Sequence, residues 1–78
     1  MPSLRSLSGT DVRAILEANG FAFVSQKGSH MKMRKNVVAA DGLQNTLTVI
    51  VPAHKTVQIG TLSSIIRQSN LARSLFEA

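Results

Sequence analysis

The residues of this 78-residue chain best suited to chemistry are a histidine and two cations at alternate positions, His30, Lys32 and Arg34. In a β-strand, side chains two residues apart project from the same face. We therefore predict that these three form one row, and that Met31 and Met33 point the other way. A neutral imidazole can take a proton from a ribose 2′-hydroxyl, and nearby cations stabilise charge on the attacked phosphate. The row is a candidate site for a phosphodiester.

A turn precedes this row, and its residues are candidate phosphate contacts. Lys27-Gly28 predicts a two-residue hairpin turn, because glycine accepts a positive φ. The amide of Gly28 or Ser29 can donate to a phosphate oxygen, and Lys27 adds a positive charge. Ser29 beside His30 also suggests a nucleophile with its base, but adjacent strand residues point to opposite faces. We therefore interpret Ser29 as a turn or phosphate-binding residue.

A second histidine, His54, follows Pro52 in a predicted surface loop. If the second and third strands are neighbours, His54 approaches His30 and can give a proton to the leaving 5′-oxygen. The residues alone do not decide whether His54 acts as this acid. His54 can equally be a solvated loop residue, and a single histidine near a hairpin is an ordinary surface feature.

The composition limits the class of partner. Nine Lys and Arg against four Asp and Glu give a net charge of +5, which favours a polyanionic or acidic partner. The three aromatic residues, all Phe, are few for stacking on bases, so backbone contacts are favoured over base recognition. With no cysteine and two histidines, the sequence predicts no disulfide, no metal site and no cofactor.

Neither a signal peptide nor a membrane span is predicted. No stretch approaches the roughly 20 apolar residues that a spanning helix needs, and the chain start lacks a cationic segment followed by a long apolar run. We expect one domain over residues 1–78, located in the cytoplasm and without a membrane partner.

The first element that must position the row is a helix over about residues 9 to 19. Ser8 is a good N-cap, and Asp11 three residues on comes close to a capping box and is favourable to the helix dipole. Leu7 and Val12 occupy the positions of a hydrophobic staple. Gly20 is suited to the left-handed residue that follows a helix.

Three strands and a second helix follow. Alternation and β-formers predict strands over about 21–26, 29–36 and 46–51, with a long loop from 39 to 45. Pro52 ends the third strand because it lacks a ladder donor. The second helix is predicted to open at Gly60-Thr61 and to end at Asn70.

This order, with short turns and one apolar stripe on each helix, predicts a two-layer α+β domain. Both helices then cover the same face of a three-stranded antiparallel sheet, and the opposite face carries the His30 row. We place the core at about residues 7–71, between a frayed lead-in at 1–6 and a short C-terminal extension at 72–78. In that extension, Leu75 and Phe76 either pack against the domain or are exposed for contact with a partner.

Four motifs in order resemble those of the HicA toxins of bacterial toxin–antitoxin pairs. They are Gly20-Phe21, Lys27-Gly28-Ser29-His30, Val51-Pro52-Ala53-His54, and the run from Ile59 to Gln68. The resemblance covers roughly residues 7 to 71. It implies an α-β-β-β-α fold like the double-stranded RNA-binding domain and a metal-independent ribonuclease that cleaves mRNA. It also implies that His30 is the catalytic residue, and that a HicB-like antitoxin binds the toxin, blocks this site and forms a higher-order hetero-oligomer.

Two non-catalytic hypotheses remain beside this one. The same basic face can serve a module that binds double-stranded RNA or an acidic protein without cleaving anything, because a fold does not fix a function. Alternatively, Leu71, Leu75 and Phe76 form an exposed apolar patch through which the chain acts as a structural partner.

Overall fold

The computed structural model describes residues 3–77, which form two helices, three strands and a closing 3₁₀ turn. Their bounds are α1 (Gly9–Ala18), β1 (Ala22–Lys27), β2 (His30–Val38), β3 (Gln44–Pro52), α2 (Ile59–Ser69) and the 3₁₀ turn (Arg73–Phe76). The predicted order of helix, three strands and helix is confirmed. Neither helix of the described part is long and apolar enough to cross a membrane.

The start of α1 is fixed by the predicted capping box. The Ser8 hydroxyl accepts a 3.0 Å hydrogen bond from the Asp11 amide, and the Ser8 amide donates at 3.0 Å to the Asp11 carboxylate. Hydrogen bonding to the carboxylate, first from the Ser8 amide and then from the Ser8 hydroxyl, holds the pKa of Asp11 below its ordinary value of 3.8. Leu7 and Val12 are both buried, and Gly20 takes a φ of +95° just after the helix. The chain therefore enters β1 at a defined angle.

The sheet is antiparallel throughout, in the order β1-β2-β3, so β2 is its central strand. Met31 and Met33 on β2 are buried, and so are Val49 and Val51 on β3. The core continues into both helices through Val12, Leu16, Leu62, Ile65 and Ile66. Both helices therefore cover the same face of the sheet, as predicted, and the other face is left open.

The first hairpin differs from the prediction by one residue. Lys27 pairs with His30, so the two-residue turn is Gly28-Ser29, and Lys27 is the last residue of β1. Gly28 has a φ of +59° at the first central position, which is where a type II′ turn requires glycine. The shift places the Lys27 side chain on the same face of the sheet as His30. Ser29 lies in the turn and not in a strand.

The second hairpin is longer than predicted, and its loop is shorter. β2 runs to Val38 and β3 begins at Gln44, which leaves residues 39–43 as the connection. β1 pairs with β2 only as far as Arg34. Beyond that point β2 and β3 continue as a two-stranded ribbon, with Val38 and Leu43 exposed at its end.

The predicted frayed lead-in and exposed C-terminal patch are both wrong for the described residues. Leu4 bridges to Glu77, and the Arg5 amide donates to the Phe76 carbonyl at 2.8 Å. The Phe76 side chain is fully buried, since a phenyl ring has a large apolar area to remove from water. The core therefore extends to Phe76, and of the predicted patch only Leu75 is exposed. Residues 1, 2 and 78 lie outside the described part of the chain.

Candidate active site

The His30 row lies on the central strand and on the face that the helices leave open. His30 and Arg34 are exposed, and Lys32 is half-buried. Across the sheet, His30 is flanked by Lys27 on β1 and Pro52 on β3. The predicted alternation is confirmed, because the intervening methionines are buried in the core. We call this surface the open face.

Lys35 shows that strand alternation, and not charge, decides which cations belong to the open face. It lies on the same face of β2 as the buried methionines, and its Nζ donates to the Asn19 carbonyl at 2.9 Å. The same Nζ lies 5.8 Å from the centre of the Phe21 ring. Lys35 therefore secures the end of α1, whereas Lys32 and Arg34 remain available to a ligand.

Two hollows adjoin His30, and both are lined by His30 and Ile50. The first, which we call the histidine hollow, has a volume of about 390 Å³ and is lined by His30, Ile50, Pro52, His54, Thr56, Gln58 and Thr61. The second, the lysine hollow, has a volume of about 420 Å³ and is lined by Ser25, Lys27, His30, Lys32 and Ile50. His30 therefore lies between a second imidazole on one side and two ammonium groups on the other.

Backbone contacts hold the segment that carries His54. The Ala53 amide donates to the Ser29 carbonyl at 2.6 Å, and the Gly9 amide donates to the His54 carbonyl at 2.8 Å. A Cβ at Gly9 would overlap the Pro52 carbonyl oxygen and lie 2.9 Å from the Ala53 Cα. Only glycine therefore lets α1 approach this segment so closely. The position of His54 relative to the sheet is fixed from two sides.

The other predicted site residues lie at the ends of the open face. Gly28 and Ser29 form the turn next to His30, and both are exposed. The Gly28 carbonyl accepts a 2.9 Å bond from the Gln26 side chain, and the Ser29 carbonyl is taken by Ala53. Arg34 stands at the far end of the row. None of these three lines either hollow.

Several residues of the site escape sequence reasoning. Thr56, Gln58 and Thr61 come together with His30 only because α2 folds back beside β3. Gly9 carries a weak signal, as a poor helix former at the first position of a helix. Within residues 3–77, no three His, Asp or Glu side chains cluster closely enough to hold a metal ion.

Comparison with known families gives a match that covers most of the chain. A family model described as the HicA toxin of bacterial toxin–antitoxin systems matches residues 9–71. That span contains the open face, both hollows and the glycine that holds the His54 segment. No curated protein and no solved structure matches the chain. The likeness to the double-stranded RNA-binding domain therefore stays a prediction.

Proposed function

This chain belongs to the HicA family, the toxins of bacterial toxin–antitoxin systems, and from this premise we propose that it is a metal-independent endoribonuclease acting on mRNA. The observation that carries the proposal is the position of His30. It is exposed on the central strand, between the two lysines of one hollow and the second histidine of the other. We further propose that the protein acts in the cytoplasm, where its proposed substrate is found.

The cations of the open face bind the RNA backbone in this proposal. Lys27 and Lys32 line the hollow beside His30, and Arg34 continues the row. Each can neutralise one phosphate as the strand crosses the sheet. The exposed turn at Gly28-Ser29 offers its amides to a further phosphate oxygen. The scissile phosphate then lies next to the imidazole.

Cleavage proceeds by intramolecular transesterification, in which the ribose 2′-oxygen attacks the adjacent phosphate of the same RNA strand. Neutral His30 takes the proton of the ribose 2′-hydroxyl, the 2′-oxygen bonds to phosphorus, and the bond from phosphorus to the 5′-oxygen breaks. Protonated His54, the other imidazole of the histidine hollow, gives its proton to that 5′-oxygen. The products are a 2′,3′-cyclic phosphate and a 5′-hydroxyl. Lys32 stabilises the additional negative charge on the phosphorane.

The role of His30 is tested with His30→Gln, which keeps a polar side chain at an exposed strand position. We expect cleavage of a defined mRNA to fall by at least about a hundredfold, the typical contribution of a general base. Induction of the variant should no longer arrest growth. Circular dichroism verifies that both proteins are folded, and EDTA in the assay tests independence from metal ions. Equal cleavage by folded wild type and variant would remove His30 from the mechanism.

The role of His54 needs a test that separates proton donation from folding. His54→Gln should slow cleavage of RNA, whereas a uridine 3′-phosphate ester of p-nitrophenol should be cleaved at nearly the wild-type rate. That leaving group departs without a proton, so no acid is needed. His30→Gln should be slow on both substrates. An equal loss on both substrates in His54→Gln would assign His54 a structural role.

The partner we propose is a HicB-like antitoxin that covers the open face, in a higher-order hetero-oligomer. The net charge of +5 and the cations of the row favour an acidic partner surface. The toxin co-purified with the antitoxin from its own operon should not cleave RNA. Arg34→Glu should weaken the complex, and an unchanged affinity would place the contact elsewhere.

The same surface also supports the alternative of a binding module without catalysis. Cations spaced along an open sheet bind RNA phosphates whether or not a bond is broken. The cleavage products distinguish the two functions. Salt-sensitive binding of RNA, with no 5′-hydroxyl ends formed at any protein concentration, would favour the module.

A further inference from the structure

The two hollows beside His30 differ in chemistry. The lysine hollow presents two ammonium groups, which suit a phosphate. The histidine hollow has hydroxyl and amide side chains and the apolar surface of Pro52, and it shares Ile50 with the lysine hollow. Its volume of about 390 Å³ falls within the usual range of small-ligand sites. Apolar surface for the faces and hydrogen-bonding groups for the edge are what a nucleobase requires.

Gln58 lines this hollow with a carboxamide side chain that can bind a ligand. It occupies the N-cap position of α2, yet its side chain makes no capping hydrogen bond. It is also exposed. A carboxamide provides an acceptor and two donors, which can match the edge of a base. Thr61, in the first turn of α2, lines the same hollow and has a hydroxyl that can also bind a base.

We propose that the histidine hollow is a subsite for a nucleobase next to the scissile phosphate. Gln58 and Thr61 bond the edge of the base, and Ile50 and Pro52 contact its face. The proposal rests on the proposed function for the position of the phosphate at His30. The backbone then passes Lys27 and Lys32, and the neighbouring base enters the hollow. The few aromatic residues of the sequence argue against stacking but not against this kind of recognition.

The test is a nuclear magnetic resonance titration of the whole protein with four nucleoside 5′-monophosphates and with ribose 5-phosphate, which has no base. All five ligands should shift the amide resonances of Lys27 and Lys32. Only the nucleotides should shift those of Gln58 and Thr61. At least one nucleotide should bind about fivefold or more tightly than ribose 5-phosphate, which corresponds to one or two hydrogen bonds.

Two variants locate the effect. Gln58→Ala should remove the advantage of the nucleotide over ribose 5-phosphate without changing the affinity for ribose 5-phosphate. Because Gln58 is exposed and makes no cap, this change leaves the fold intact. Gln68→Ala, at an exposed position near the other end of α2, is the matched control and should retain the advantage.

The proposal is overturned if ribose 5-phosphate shifts Gln58 and Thr61 as much as a nucleotide does. It is also overturned if no nucleotide binds more tightly than ribose 5-phosphate, or if Gln58→Ala keeps the full advantage. Cleavage of RNA by the wild type is measured separately. A base advantage that depends on Gln58 without any cleavage would refute the ribonuclease but uphold the base site. Cleavage without such an advantage would support the ribonuclease but refute the base site.

Discussion

The salt dependence of RNA binding should report how many cations of the open face contact phosphates. Three of them, Lys27, Lys32 and Arg34, lie on the face that carries His30. For single-stranded nucleic acid, each neutralised phosphate contributes about −0.7 to the slope of log affinity against log salt concentration. Three contacts predict a slope of about −2, so affinity should fall about 20-fold between about 50 and about 200 mM salt.

Replacing Lys32 by methionine keeps the bulk of the half-buried side chain and removes its charge. The slope should fall in magnitude by about 0.7, and the loss over the same salt range should shrink to about sevenfold. The ligand is a 2′-O-methyl RNA, which cannot be cleaved because it has no free 2′-hydroxyl. Binding is titrated by fluorescence anisotropy at one fixed pH for all proteins.

Arg67→Met is the matched control. Arg67 is exposed on α2, in the helix layer on the other side of the sheet, and contacts Ser64 at 3.4 Å. Its loss should leave the slope unchanged. If Lys32→Met keeps the wild-type slope, Lys32 does not contact a phosphate. If Arg67→Met lowers the slope instead, RNA binds the helix layer, and the assignment of the open face is refuted.

Three further predictions concern how the site is held. Gly9→Ala should destabilise the fold by about 1–3 kcal/mol through overpacking, and at a temperature where it stays folded its cleavage should fall because the His54 segment must move. Phe76→Ala should cost about 3–5 kcal/mol in chemical denaturation, whereas the same change at the exposed Leu75 should cost far less; a similar small cost at both would contradict the buried position of Phe76. Asp11→Ala should lower stability at neutral pH. Because the pKa of Asp11 is lower in the fold than its ordinary 3.8, its contribution is present above that value and is lost as the pH falls through the folded pKa. The difference from wild type should therefore close in acid, and a difference that persists there would show that the carboxylate charge is not its source.

Local signals in the sequence predicted the helices and strands, and they predicted which side chains of β2 share the face that carries the site. Ser8 and Asp11 specify the start of α1, because a capping box involves only four consecutive residues. Strand alternation places His30, Lys32 and Arg34 together and the methionines opposite, since the pleat repeats every two residues. The hairpin was misplaced by one residue because Gly28 suits a turn at either central position, and the pairing of Lys27 with His30 selects between them.

Only the tertiary structure decided which distant residues share the site. The burial of Phe76 depends on a space between elements that no local pattern reveals. The close approach of Gly9 to the Pro52-Ala53-His54 segment depends on how α1 lies beside the end of β3. The sequence by itself determined a cationic row with one titratable group, because strand geometry is local. The pairing of β2 with β3 and the contact of Gly9 with the His54 segment placed the second histidine beside that group, and the return of α2 to β3 added Gln58, because packing joins residues far apart in the chain.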